Sequence, residues 1–139
     1  PYGYCADISR TFVCGNKFND TQKKLYSMAV EQINHNSRLI KKDMSFREFT
    51  EKSWVLPEEY YGNRYSVMVH GIGLCDEWPA IRYPSDGGER SGFFEKNMTI
   101  TVESYIGKVG GKEGVKLEQQ YLVGENGLEI MSHHPLEDI

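Results

Sequence analysis

The sequence predicts an α+β fold, because one strand is followed by two or three helices and then by a set of antiparallel strands. Residues 21–40 repeat apolar positions at helical spacing, which indicates an amphipathic helix. The stretches 98–106 and 115–123 are interpreted as two strands joined by a glycine-rich turn. A hairpin signal at 125–127 leads to a further strand, 128–131. The 139 residues are enough for one domain with a core.

The first elements in chain order are a predicted strand and a long helix. The strand covers residues 3–14 and ends at Gly15. Asn19 and its neighbours offer capping side chains to the helix over 21–40. His35 lies on this helix, and we predict a surface residue there rather than a ligand. The positions that recur at helical spacing are Leu25, Met28, Ala29, Ile33, Asn36 and Ile40.

Two shorter helices and a strand are predicted next. Residues 45–48 have the pattern of a capping box, which opens a helix that runs to about Trp54. Pro57 is predicted to begin a short third helix. An apolar run at 66–69 indicates a buried strand. Residues 81–96 are rich in proline, glycine and charge without periodicity, which predicts a surface loop or lid.

Composition and charge argue against several kinds of partner and location. The net charge is −4 and no basic patch is visible, so we expect no nucleic-acid partner. No apolar run is long enough to span a membrane. The cysteines are Cys5, Cys14 and Cys75, an odd set without metal-type spacing. We therefore expect no disulfide framework and a reducing, cytoplasmic location.

The first candidate functional residue is His70, which is predicted to lie at the end of the strand over 66–69. Glycines at 71 and 73 follow it and let the backbone turn sharply. Asp76 and Glu77 come a few residues later, so the stretch is a candidate metal or acid–base site. The alternative is a loop histidine in a glycine-rich turn, and this stretch alone leaves the two interpretations open.

Three acidic residues inside apparent strands favour the metal interpretation. Asp7, Glu103 and Glu118 each lie where a charge is costly unless it is paired or bound to a metal. Together with His70 they form an oxygen-rich set with one nitrogen, which suits a hard or borderline divalent metal. Because strand side chains alternate, we expect shared faces within each strand. The expected groups are Glu103 with Thr101, and Glu118 with Lys116 and Gln120.

These four residues, in this order and with these neighbours, resemble the metal site of the pita-bread metallohydrolases, the family of methionine aminopeptidase, aminopeptidase P, prolidase and creatinase. The resemblance implies a curved antiparallel sheet backed by helices and a two-metal site. In it, Asp7 and Glu118 would bridge the metals, and His70 and Glu103 would bind on one side. The family pattern has a further Asp ligand about ten residues before the position of Asp7. We therefore expect residues 1–139 to be the C-terminal part of the catalytic domain of a longer, homodimeric protein.

The sequence departs from the peptidases of this family just after His70. The peptidases carry a second histidine there, in a His-Glu/Asp-x-Pro pattern, whereas this chain has Asp76 in that neighbourhood. The segments around Asp7, 44–49, His70 and Glu103 are similar to the branch of the family that cleaves dimethylsulfoniopropionate to dimethyl sulfide and acrylate. That resemblance implies a β-elimination in which Asp76 is the base, with iron as the metal and zinc or manganese as alternatives.

The elimination expels a sulfonium group, which aromatic faces hold by cation–π attraction. Tyr65 and Trp78 are the candidates for this role, and core packing is the alternative for both. A loop-capping aspartate is the alternative for Asp76, and Glu77 is the other candidate base. A metallopeptidase or other hydrolase of the same fold remains the second hypothesis for the whole chain. A pseudoenzyme or binding module is a third.

Overall fold

The computed structural model describes residues 2–15, 17–87 and 91–136. The helices are α1 Asp20–Leu39, α2 Phe46–Lys52 and α3 Glu58–Tyr61. The strands are β1 Val67–Ile72, β2 Asp76–Arg82, β3 Thr99–Gly107, β4 Gly114–Val123 and β5 Leu128–Ile130. A short 3₁₀ turn, Pro84–Asp86, follows β2. Within the described residues, each helix is too short or too polar to cross a membrane.

The strands form one antiparallel sheet in the order β2-β1-β3-β4-β5. Helix α1 packs against β3 and β4 and buries Leu25, Ala29 and Ile33. Ser104 of β3 donates a hydrogen bond of 2.6 Å to Gln32 of α1, so the even-numbered residues of β3 face this helix. Because strand side chains alternate, the odd-numbered residues of β3 point to the opposite face. The α+β prediction is confirmed, and the sheet has one helix-covered face and one polar face.

The helices lie close to their predicted positions. Helix α1 begins and ends one residue before the predicted bounds, behind a capping box formed by Asn19 and Gln22. His35 is exposed, as predicted. In α2 the Ser45 side chain accepts the Glu48 backbone N–H at 3.0 Å. The Glu48 carboxylate instead binds Lys52 at 2.6 Å, so only half of the predicted capping box forms.

The predicted strand over residues 3–14 is wrong. The segment is extended, but only Ser9 pairs with the sheet, through two backbone hydrogen bonds with Glu118 of 3.2 and 3.0 Å. Four residues earlier, the Cys5 N–H donates to the Gly73 carbonyl oxygen at 2.7 Å. The segment therefore leaves the end of β1 and then lies along β4, where Thr11 bonds the Lys116 backbone through its side-chain hydroxyl rather than through its own backbone.

The boundary of β1 also differs from the prediction. His70 does not end the strand, because β1 continues to Ile72. Strand β1 pairs with β2, and the last two residues of β2 are the first two residues of the predicted loop over 81–96. Further along that loop, Phe94 is fully buried against Phe46 and Phe49. Residues 88–90 lie outside the described residues. The described part of the predicted loop is thus anchored to the sheet and the core.

Gly71 allows the backbones of β1 and β2 to approach closely. A Cβ added at Gly71 would lie 2.7 Å from the carbonyl carbon of Trp78 and still closer to its oxygen. Both are backbone atoms and cannot rotate away. A Cβ added at Gly73 would meet Thr99 Oγ1 at an ordinary 3.6 Å. The two glycines therefore differ in the space they leave, although they are only two residues apart.

We expect Gly71→Ala to lower the free energy of unfolding by roughly 2–3 kcal/mol, the usual cost of forcing extra volume into a packed site. Gly73→Ala is the matched control and should change it by less than about 0.5 kcal/mol. Urea unfolding of both variants of the full-length protein measures the difference. Equal stability of the two variants would show that the β1–β2 spacing is not rigid.

Candidate metal centre

The polar face of the sheet brings the acidic strand residues together. Glu103 of β3 lies directly opposite Glu118 of β4, and His70 of β1 lies opposite Thr101 of β3. His70, Glu103 and Glu118 are all buried, with 1–2% of their surface exposed. The register also pairs Thr101 with Gln120, so the predicted face-sharing groups are confirmed.

Asp7, His70 and Glu118 form the tightest group, with one ligand-type atom from each lying within 4.8 Å of the others. His70 Nε2 is 3.2 Å from Glu118 Oε1 and 3.7 Å from Glu103 Oε1. His70 Nδ1 lies 3.0 Å from the Gly71 carbonyl oxygen, which only accepts hydrogen bonds. That contact places a proton on Nδ1. Without a metal, the hydrogen bond between Nε2 and Glu118 requires a second proton on the ring, and a metal bound at Nε2 would replace that proton.

The electrostatics show unbalanced negative charge. Burial raises the pKa of Asp7, and the charge of Glu118 raises it further. Burial also opposes ionisation of Glu118, but the hydrogen bond with His70 and the charge of Lys116 outweigh it and lower the pKa of Glu118 to about 2. The pKa of His70 is raised, since its contact with Glu118 outweighs the effect of burial. A cation among these groups would relieve the repulsion between the carboxylates.

The donor set fits a divalent metal ion. Glu103 Oε1 is buried and has no hydrogen-bond partner among the described residues. An unpaired buried carboxylate oxygen costs free energy unless a cation or a donor meets it. Three carboxylates and one imidazole are the ligands that manganese, iron and zinc accept. The residues that would hold the metal are Asp7, His70, Glu103 and Glu118.

Three further residues contact this group: Ser9 and Arg10 were not predicted from the sequence, and Lys116 was predicted only to share a face with Glu118. Ser9 Oγ donates to Glu118 Oε2 at 3.0 Å, and Lys116 Nζ contacts Glu103 Oε2. Ser9 and Lys116 each lie two residues from a predicted ligand. The two-residue period of extended chain therefore predicts that each shares a face with that ligand. Arg10 donates to the Glu118 carbonyl oxygen at 2.5 Å, to that of Pro135 at 2.9 Å, and to the Gln119 side chain. It ties the segment that carries Asp7 to β4 and to the chain after β5.

The remaining candidate residues lie at the start of β2 and just before β1. Asp76 is exposed, and its side chain makes no hydrogen bond with the described residues. Its negative charge is felt at Asp7, where it raises the pKa of that carboxyl after burial and Glu118. Asp76 is the first residue of β2, and because its carboxylate accepts no hydrogen bond from the described residues, it does not cap the preceding turn within them.

Neither candidate aromatic residue is packed in the core. Trp78 is 64% exposed and Tyr65 is 38% exposed. The Tyr65 hydroxyl donates to Glu77 Oε1 at 2.7 Å, and this hydrogen bond is the main cause that raises the pKa of Tyr65 to about 12. Lys116 Nζ lies 4.5 Å from the Tyr65 ring centroid. One face of Tyr65 therefore already holds a cation, whereas Trp78 is largely open to solvent.

Comparison with known proteins identifies relatives along nearly the whole chain. The model of metallopeptidase family M24 matches residues 1–125. Dimethylsulfoniopropionate lyase DddP from Roseovarius nubinhibens is 36% identical over 98% of this chain, and the protein of the same name from Roseobacter denitrificans is 34% identical over 98%. The chain spans 31% of the length of each of these curated relatives.

Solved structures show the same fold. Xaa-Pro dipeptidase from Bacillus anthracis has a TM-score of 0.80 and 28% identity, over 97% of this chain and 37% of that one. Prolidase from Pyrococcus furiosus has a TM-score of 0.77 and 27% identity, over 96% and 38%. These neighbours confirm the pita-bread fold that the sequence resemblance implied. Enzymes of the matched family depend on divalent metal ions, and the cluster around His70 is a group that could hold one.

Proposed function

The chain belongs to metallopeptidase family M24, and we propose that the protein is a metal-dependent lyase that cleaves dimethylsulfoniopropionate to dimethyl sulfide and acrylate. Residues 1–139 would form the C-terminal part of its catalytic domain, in keeping with their 31% share of the relatives' length. The observation that carries the proposal is the exposed carboxylate of Asp76, which makes no hydrogen bond with the described residues and whose charge acts on Asp7 of the Asp7–His70–Glu118 group. The names of the two lyase relatives support it.

The metal would be held by Asp7, His70, Glu103 and Glu118. A bound divalent ion would polarise the carboxylate of the substrate and make the proton on the adjacent carbon more acidic. These buried side chains would orient that carboxylate toward β2. The resemblance to the lyase branch of the family supports iron as the metal, with zinc or manganese as alternatives. It also supports a homodimeric, cytoplasmic protein.

Asp76 would act as the base of the elimination. Asp76 would take the proton from the carbon next to the carboxylate of the substrate, and the electron pair left behind would form the carbon–carbon double bond. The carbon–sulfur bond breaks at the same time, and the sulfur leaves with the bonding pair as neutral dimethyl sulfide. Because Asp76 is exposed, the proton can pass from it to solvent. Glu77 is the alternative base, but its carboxylate already accepts a hydrogen bond from Tyr65.

The sulfonium group needs an aromatic face that carries no other cation. Trp78 meets this need, since it is 64% exposed and lies two residues after Asp76. One face of Tyr65 is occupied by the Lys116 ammonium, so its role would be carried by the opposite face or by its hydrogen bond to Glu77. We therefore assign the main sulfonium contact to Trp78 and a supporting role to Tyr65.

A second candidate function is hydrolysis of Xaa-Pro peptides. The fold shared with Xaa-Pro dipeptidase and prolidase favours it. The residues next to His70 argue against it, because the second histidine of the peptidase pattern is replaced by a stretch that contains Asp76. The two functions therefore differ in whether a carboxylate or an imidazole faces the substrate on β2.

The test uses the purified full-length protein loaded with each candidate metal in turn. We expect release of dimethyl sulfide from dimethylsulfoniopropionate, measured in the gas phase, and no cleavage of Xaa-Pro dipeptides. Protein treated with a chelator is the control and should release none. Xaa-Pro cleavage without dimethyl sulfide release would replace the lyase proposal with the peptidase one.

A further inference from the structure

Lys116 is a cationic side chain in the middle of the acidic group. It lies on β4, two residues before Glu118 and on the same face of the sheet. Its ammonium nitrogen contacts Glu103 Oε2 and lies 3.7 Å from Glu118 Oε2. The side chain is 31% exposed, so the stem is largely covered while the charged end faces the carboxylates.

The ammonium has more negative neighbours than these two. Glu77 lies next to the ring that the ammonium faces, since its Oε1 accepts the Tyr65 hydroxyl at 2.7 Å. No other lysine or arginine among the described residues forms an ion pair with Asp7, Glu103 or Glu118. The near face of the Tyr65 ring completes the surroundings, with its centroid 4.5 Å away.

We propose that Lys116 is an internal counter-ion of the acidic group, which neutralises Glu103 and Glu118 when no metal is bound and competes with an incoming metal for their oxygens. The proposal rests on the metal site assigned under the proposed function. A lone pair of Glu103 Oε2 that accepts a hydrogen bond from the ammonium cannot bind a metal at the same time. An ammonium and a divalent cation bound to the same carboxylates would also repel each other, most strongly where water is excluded.

The same contacts define where the ammonium goes when metal enters. Its stem has rotatable bonds, and the Tyr65 ring face lies 4.5 Å away, with the Glu77 carboxylate hydrogen-bonded to the Tyr65 hydroxyl. Movement toward them keeps the ammonium paired while freeing Glu103 Oε2. Lys116 would therefore set the metal affinity of the site without being a ligand.

The test compares metal binding by the full-length protein and by Lys116→Met, which keeps the length of the side chain and removes its charge. We expect the dissociation constant for zinc or manganese, measured by competition with a chelating dye, to fall about tenfold in the variant, within the usual range for coupled sites. The melting temperature of the metal-free variant should fall, because its carboxylates lose their counter-ion. That of the metal-loaded variant should not fall.

Two further variants separate charge from packing. Lys116→Gln is a second neutral variant and should also bind metal more tightly, whereas Lys116→Arg keeps the charge and should stay close to the parent. Lys24→Met removes a charge from α1, where Lys24 lies 3.7 Å from Glu59 and 5.9 Å from the Tyr60 ring centroid, and should change neither quantity.

Unchanged or weaker metal binding in both neutral variants would overturn the counter-ion proposal while leaving the metal site intact. Tighter binding in Lys116→Arg as well would also overturn it, since the charge would then not be the cause. If neither the parent nor the neutral variants bound metal, the metal site itself would be wrong, and the lyase proposal would fail with it.

Discussion

Asp76→Asn in the full-length protein is expected to lower turnover of dimethylsulfoniopropionate by roughly 10²–10⁴-fold, the usual effect of losing a general base. The substitution keeps the size of the side chain and removes its ability to take a proton. Asp76 is exposed on β2 and outside the Asp7–His70–Glu118 group, so metal content should not change. Gas-phase detection of dimethyl sulfide and elemental analysis of the purified variant measure both quantities.

Glu77→Gln is the matched control for this experiment. Glu77 is the adjacent carboxylate, and it accepts the Tyr65 hydroxyl at 2.7 Å, so it is already engaged. We expect a much smaller loss of turnover in this variant than in Asp76→Asn. Near-normal turnover of Asp76→Asn together with an inactive Glu77→Gln would assign the base to Glu77. Full activity in both would rule out the elimination mechanism described above.

Glu118→Gln is expected to remove both metal and activity. Glu118 is the residue at which the site converges, because His70, Ser9 and Lys116 all approach its carboxylate. The amide keeps the size of the side chain but loses the negative charge that a divalent metal requires. Loss of a residue that merely supports a ligand costs about 10–100-fold in metal affinity, so loss of the ligand itself should cost about 100-fold or more.

The measurement for Glu118→Gln is metal content after dialysis, together with the shift in melting temperature on adding metal. Glu129→Gln, which changes an exposed carboxylate on β5, is the control and should behave like the parent. A Glu118→Gln variant that retained stoichiometric metal and lost only turnover would show that Glu118 serves the chemistry rather than metal binding.

The sequence was sufficient for the elements whose pattern is long and regular. Helix α1 has both a strong apolar period and a polar cap, and its prediction was accurate to one residue at each end. Strands β3 and β4 were also located to within one residue. Strand β2 was missed because it begins with two acids and contains Pro79, features that are typical of loops. Its pairing is imposed by β1, which a local pattern does not contain.

Some residues of the candidate site were identified by local sequence patterns, and others were not. Glu103 and Glu118 were proposed as ligands because a buried carboxylate in an apolar strand needs a partner, and both lie buried in strands. Asp7 was proposed for the same reason, although its segment forms only an isolated bridge with the sheet. Lys116 was predicted to share a face with Glu118 but was given no role, since a lysine in an alternating strand is normally exposed to solvent. Only the pairing register of β3 with β4 places its ammonium against Glu103. Local patterns also could not predict contacts between distant segments, such as the contact of Ser9 with Glu118.

The pairing of Ser9 with Glu118 joins residues that are 109 positions apart, and this separation has a consequence for synthesis on the ribosome. At elongation rates of about 5–20 residues per second, the segment that carries Asp7 is made roughly 5–20 s before β4 exists. During that interval His70 and Glu103 are synthesised, but Asp7 still lacks Glu118 and the bond from its N–H to Gln120. The complete set of proposed ligands can form only after β4 has left the ribosome, so a metal could be held by all four of them only from that point on.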